Sequence, residues 1–159
     1  MSRFERSIEI ACPVERLFAF HLDTRNAAAI SPPSQRVVRV DGTFPVQAGD
    51  VVGLEVRPAL LGRALPVPQR WRVRIAEVRA PELVVDELVR GPFARFHHEH
   101  RFADLGGGRS RLTDRIDYAL PLGALGRIAD RLLVGRLLAR TFAYRQEATR
   151  RLLQRAPAA

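Results

Sequence analysis

The chain contains no lysine: all 26 of its basic residues are arginine, and against 17 acidic residues they leave a net charge of +9. So one-sided a usage, beside abundant Ala, Gly and Pro, reads as a GC-rich coding bias more than as a surface built for phosphates. The arginines are also spread from Arg3 to Arg155 instead of gathered in one block. In RWRVRIAEV, Arg70, Arg72 and Arg74 share one face of a strand while Trp71, Val73 and Ile75 share the other. A nucleic-acid platform needs aromatics and cations on the same exposed face, so no specific nucleic-acid partner is expected. Cysteine is nearly absent too. Cys12 stands alone, which rules out an internal disulfide. No apolar run approaches the ~20 residues of a membrane span, and the opening MSRFERSIEI has no signal-peptide core. A cytoplasmic protein without a transmembrane segment is the expectation. Equally absent are an activated Ser or Cys nucleophile, a Gly-rich phosphate loop and a cofactor fingerprint, so no cofactor is expected.

What is present is a regular order of elements. At 159 residues the chain suits one domain with a real core. That domain is expected over 1–155, with 156–159 as a flexible tail. RFERSIEI alternates as a strand with Phe4, Ile8 and Ile10 on one face. Pro13 opens a helix on which Val14, Leu17, Phe18 and His21 follow the helical period, and TRNAAAI makes a second short helix before Pro32 and Pro33. Strands follow at 35–41, 49–57, 69–79, 82–90, 93–103 and 109–120, parted by turn signals that include a Pro-rich loop at 58–68 and the triple glycine at 106–108. From Pro121 to about Leu153 the pattern is helical. Hairpin succession predicts an antiparallel meander of six or seven strands, with one long C-terminal helix covering its apolar face. On that helix Leu125, Ile128, Leu132, Gly135, Ala139, Phe142 and Ala143 form a stripe whose middle is small. Small residues there either allow close packing or leave room for a ligand.

Three of the four histidines fall within FARFHHEHRF. Alternation puts Phe96, His98, His100 and Phe102 on one face, and His97, Glu99 and Arg101 on the other. On the next strand Leu112, Asp114, Ile116 and Tyr118 oppose Thr113, Arg115 and Asp117, which read as the solvent face. A hairpin centred on Gly107 sets His100 opposite Asp114 and Phe96 opposite Tyr118, with Glu99 meeting Arg115 and His97 meeting Asp117 outside. A slip of two would give Asp114 to His98 instead. A buried aspartate requires a compensating partner. The patch is therefore either a satisfied core His–Asp pair or the polar wall of a small-molecule pocket. His98, His100 and Asp114 also make a two-histidine, one-carboxylate set. With His97 facing away, no bound metal is expected.

The order strand, two short helices, six strands and long helix, with PVERLFAFHLDTRNAAAISP, VDELVRGPFARFHHEHRF, RLTDRIDYALPLG and RTFAYRQEATRRL, resembles the START-like or SRPBCC superfamily. The likeness is to its bacterial ligand-binding, polyketide cyclase/dehydrase-like subgroup, and it covers nearly the whole chain. Phe96 stands where members of that subgroup usually have tryptophan. The resemblance implies an α+β helix-grip fold, a curved antiparallel sheet of six to seven strands wrapped around the C-terminal helix and enclosing a cavity. It also implies that Asp86 points inward near His98, whereas alternation fits Asp86 or Glu87 equally. The loop 58–68, with Leu60, Leu61, Leu65 and Val67, would form a greasy lip over the cavity mouth.

The expected function is binding of a small hydrophobic or amphipathic molecule (lipid-, polyketide- or aromatic-like), by a monomer or weak homodimer. Its expected contacts are Trp71, Asp86, Phe96, His98, His100, Phe102, Asp114, Tyr118, Leu132, Gly135, Ala139 and Phe142. The alternative is a cyclase/dehydrase-type enzyme in which His100, held by Asp114, is the general base and Tyr118 or His98 the proton donor. Fold likeness does not choose between them.

Overall fold

The computed structural model describes residues 1–60, 63–64, 66–121, 123 and 133–155. Strand β1 is Ser2–Ile10; Pro13 then opens α1, Val14–Leu22, and α2 is Asn26–Ile30. The strands continue as β2 (Gln35–Asp41), β3 (Val51–Leu60), β4 (Arg63–Ala64), β5 (Gln69–Arg79), β6 (Leu83–Arg90), β7 (Arg95–Gly106) and β8 (Arg109–Ala119). The described part of the C-terminal helix, here α3, is Gly135–Arg155. Residues 122 and 124–132, where Leu125, Ile128 and Leu132 were expected to open the stripe, lie outside the described residues, as do 156–159.

Seven strands form one curved antiparallel sheet in the order β1-β8-β7-β6-β5-β3-β2. The expected meander therefore holds from β2 to β8, with only the two-residue β4 off the path, while β1 returns to pair with β8 along its whole length. β6 pairs with β7 at one edge of the histidine strand, and β8 at the other. The triple glycine makes the β7–β8 turn possible, since Gly106, Gly107 and Gly108 all take positive φ, a conformation strained for residues that carry a Cβ. The segment 58–68 differs from the expected loop. β3 runs on to Leu60, and Arg63–Ala64 folds back against Ala59 and Leu60. Val67 is exposed and borders a surface groove with Arg70, Arg72 and Arg90. Leu61 and Leu65, two of the residues expected to form the lip, lie outside the described residues.

Bulges at Val37/Arg39, Arg72/Val73 and Ile75/Glu77 interrupt the β2–β3 and β5–β6 ladders. Each adds local twist and bend, which helps the sheet curl around the helix. The main apolar cluster joins Ile10, Leu17, Phe18, Val52, Ile75 and Leu112 to Leu153 at the far end of α3. A second cluster joins Ile116, Tyr118, Leu138 and Phe142, and a third Ala27, Val37 and Val56. Burying each such aliphatic or aromatic side chain stabilises the fold by roughly 1.5–3 kcal/mol, before conformational entropy is counted.

The face that α3 turns inward is a correction to the sequence-based stripe. Leu138, Thr141, Phe142, Gln146, Thr149 and Leu153 are buried, whereas Gly135, Ala139 and Ala143 are only half-buried. The cause is chemical. Apolar periodicity ignores polar residues that a polar sheet needs, and Gln146 faces inward because its amide donates to Asp114.

Candidate functional site

The hairpin register has the pairing expected for a turn centred on Gly107: His100 is opposite Asp114, His98 opposite Ile116 and Phe96 opposite Tyr118. His98, His100, Phe102, Asp114, Ile116 and Tyr118 are buried, while Arg101 is exposed and His97 half-exposed. On the outer face the charged hydrogen bonds differ from the expected cross-strand pairs. Glu99 accepts from Arg101 along its own strand and Asp117 accepts from Arg3 on β1, while the register sets Glu99 opposite Arg115 and His97 opposite Asp117 as expected.

Inside, the alternatives for Asp114 resolve into both histidines at once. His98 Nε2 donates to Asp114 Oδ1 at 3.0 Å, and His100 Nδ1 lies 3.0 Å from the same oxygen, off the line of its N–H. Gln146 Nε2 donates to Asp114 Oδ2 at 2.8 Å and to the Arg6 carbonyl at 2.9 Å, tying α3 to β8 and β1. On the other side His100 Nε2 donates to Asp86 Oδ2 at 3.3 Å. Asp86 is thus the inward residue of its pair, and Glu87 faces out to bond Arg74. The two inward imidazoles lie with ring centroids 3.9 Å apart, and His98 stands edge-on to Phe142.

Charge follows from these contacts. Burial alone would strip His100 of its proton, but the carboxylates of Asp114 and Asp86 outweigh it and lift its pKa to about 9. His98 is pushed down to about 4, first by burial and then by the His100 charge beside it. Asp114 would be raised by burial, yet the His100 and His98 rings facing it hold it well below the usual carboxylate range. At neutral pH the group is therefore Asp86⁻–His100⁺–Asp114⁻ with a neutral His98. Of the two inward rings, His100 carries the proton and His98 does not.

Asp86, His98 and His100 hold donor atoms within 4.8 Å of one another, a set that includes Asp86 in place of the expected Asp114. Both Nε2 atoms already donate to carboxylates, so a cation would have to displace the proton that His100 carries.

A cavity of about 150 Å³ lies between the sheet, α1–α2 and α3. Of the residues expected to contact a ligand, Trp71, Asp86, Phe96, His98, His100 and Phe142 border it. Phe102 is packed against Phe18 in the main core, and Tyr118 is buried in the cluster with Phe142. Asp114 reaches the cavity only through the two histidines. Gly135 and Ala139 lie off it, and Leu132 is outside the described residues. His21, Thr141 and Arg145, none of them among the expected contacts, also border the cavity. His21 had a signal: it shares the buried period of α1 with Val14, Leu17 and Phe18. Its Nδ1 bonds the Leu17 carbonyl at 2.9 Å, and burial together with the His100 charge lowers its pKa to about 3. For Thr141 and Arg145, both polar positions on a helix read as apolar-faced, no such signal exists.

A family model described as polyketide cyclase/dehydrase and lipid transport matches residues 1–155. No curated protein matches. Among solved structures, an aromatase/cyclase from a Streptomyces species is 17% identical, with TM-score 0.68 over 95% of each chain. A Thermus thermophilus protein is 16% identical, with TM-score 0.71 over 99% of this chain and 100% of its own. Norcoclaurine synthase from Thalictrum flavum is 10% identical, with TM-score 0.68 over 98% of this chain and 87% of its own. At such identities the likeness is one of fold.

Proposed function

The chain belongs to the polyketide cyclase/dehydrase and lipid-transport family, and from that premise we propose that it binds a small, ring-bearing amphipathic molecule in the cavity beside His98 and His100. The observation that carries this reading is the cavity itself: Trp71, Phe96, Phe142, Val73 and Val84 give it an apolar wall, and one buried polar group interrupts that wall. A core needs neither an unfilled volume nor two carboxylates around a cationic imidazole. The volume sets the scale. About 150 Å³ suits one six-membered ring with a short substituent, and is below the roughly 300 Å³ at which drug-sized pockets begin. Trp71 is the sole tryptophan and borders the space. Titration with benzyl alcohol should change its emission saturably with one site per chain. An unsaturable or absent change would count against the cavity as a binding site.

A second reading, catalysis, is favoured by one observation: two adjacent imidazoles in opposite protonation states border the same space. Titratable neighbours driven apart in pKa are the ordinary basis of acid/base division of labour. On a bound ketone, His100 would donate to the carbonyl oxygen while His98 received the α-proton, giving an enol with no net change in protons. Deuterium exchange into cyclohexanone, lost in His100→Gln, tests it; exchange no faster than in buffer rejects it.

A further inference from the structure

Outside the histidine–aspartate cluster, three hydrogen-bond donors that border the cavity have no acceptor among the described residues. Trp71 Nε1 and Thr141 Oγ1 are buried without a partner. The Arg145 guanidinium makes no hydrogen bond or ion pair among the described residues and rests over the Phe142 ring at 5.3 Å. Thr141 and Arg145 are four residues apart on α3, so they project from one face of the helix. Orphaned buried donors are uncommon because each forfeits its water without replacement. Indole N–H and guanidinium only donate, so whatever satisfies them must accept.

The protein's own carboxylates are committed elsewhere. Asp114 accepts from His98 and Gln146, and Asp86 accepts from His100. Both act on Arg145 only through space, and neither lies within ion-pair distance of it. Arg145 therefore keeps its whole fork of donors, the geometry that matches a carboxylate in two parallel bonds. We propose that Arg145, Thr141 and Trp71 form a subsite for the carboxylate of a single-ring organic acid whose ring fills the apolar part of the cavity. This rests on reading the cavity as a ligand site, and it names the class of ligand.

Calorimetric titration of the purified chain with benzoate, benzamide and benzyl alcohol at pH 7.5 separates these claims. Benzoate should bind about tenfold or more tighter than benzamide, the scale of a charge-assisted hydrogen bond. Arg145→Gln should weaken benzoate by about tenfold and leave benzyl alcohol within about threefold. Thr141→Val, nearly the same size, should weaken benzoate alone and serves if Arg145→Gln fails to fold. Benzamide or benzyl alcohol binding as tightly as benzoate would overturn the carboxylate subsite and leave the cavity reading standing. Failure of all three ligands to bind would overturn both.

Discussion

His98 and Asp114 share a hydrogen bond of 3.0 Å at side-chain exposures of 5% and 4%, beneath a helix that contributes a third partner, Gln146. A carboxylate so placed is stable as an anion only because His98, His100 and Gln146 all face it. Removing its charge while keeping its shape leaves His100 with one carboxylate in place of two. Asp114→Asn should therefore cost about 3 kcal/mol of unfolding free energy, in the range for a broken buried ion pair, and should lower the pKa of His100. Urea melts of the variant check the first, histidine NMR titration the second. A loss under ~0.5 kcal/mol, the scale of an ordinary surface substitution, would mean that the cluster is not a buried charged network.

Stability should pass through a maximum near neutrality, for reasons of opposite sign. His100 is raised to about 9, so the folded chain holds a proton that the unfolded chain releases above 6.5. That contribution is complete below pH 6.5 and is lost as pH rises through 9, at about 1.4 kcal/mol per unit. His98 and His21 are lowered to about 4 and about 3. Their neutral forms favour folding above pH 6.5, and that benefit falls away as pH drops through 4. Unfolding free energies measured from pH 4 to 10 should show both flanks. A flat profile between 7 and 9 would remove the charge from His100.

Alternation and hairpin arithmetic make the histidine face legible in the sequence, because a one-residue slip would put His97 and Arg101 in the core. The centre of the cluster was legible for the same reason: Asp114 had no other inward neighbour to compensate it. The helix side was not. Burial of Gln146 and Thr149 follows from a partner on β8 and from a backbone carbonyl, and neither leaves a trace in apolar periodicity. Asp86 was undecided because β6 is buried on both faces at Val84 and Val85, which erases the alternation that would have chosen it over Glu87. The bulge at Ile75/Glu77, where β5 and β6 change register, is equally invisible to a period-two reading.

Because Gly135 does not border the cavity, Gly135→Leu should leave benzyl alcohol binding within about twofold. Val84→Phe adds bulk at a lining position that is 2% exposed and should abolish binding. Overpacking there should cost about 1–3 kcal/mol of stability. Both effects are read from Trp71 emission and thermal melts. Loss of binding in Gly135→Leu with binding kept in Val84→Phe would mean that the occupied space is elsewhere.

No stoichiometric transition metal is expected on Asp86, His98 and His100, since the proton on His100 and the Asp114 bond to His98 already satisfy the donor atoms. Elemental analysis of protein purified without a histidine tag checks this. Zinc or iron at one equivalent, lost in His98→Ala, would reassign the three residues as ligands.

The most direct measurement is a crystal of the chain soaked with 4-bromobenzyl alcohol, with bromine located by anomalous diffraction. One bromine peak enclosed by Trp71, Phe96, Phe142 and Val84 is the result expected if the cavity receives a ring. Bromine found only in the surface groove beside Arg70 and Arg72, with ordered waters filling the interior, would contradict it.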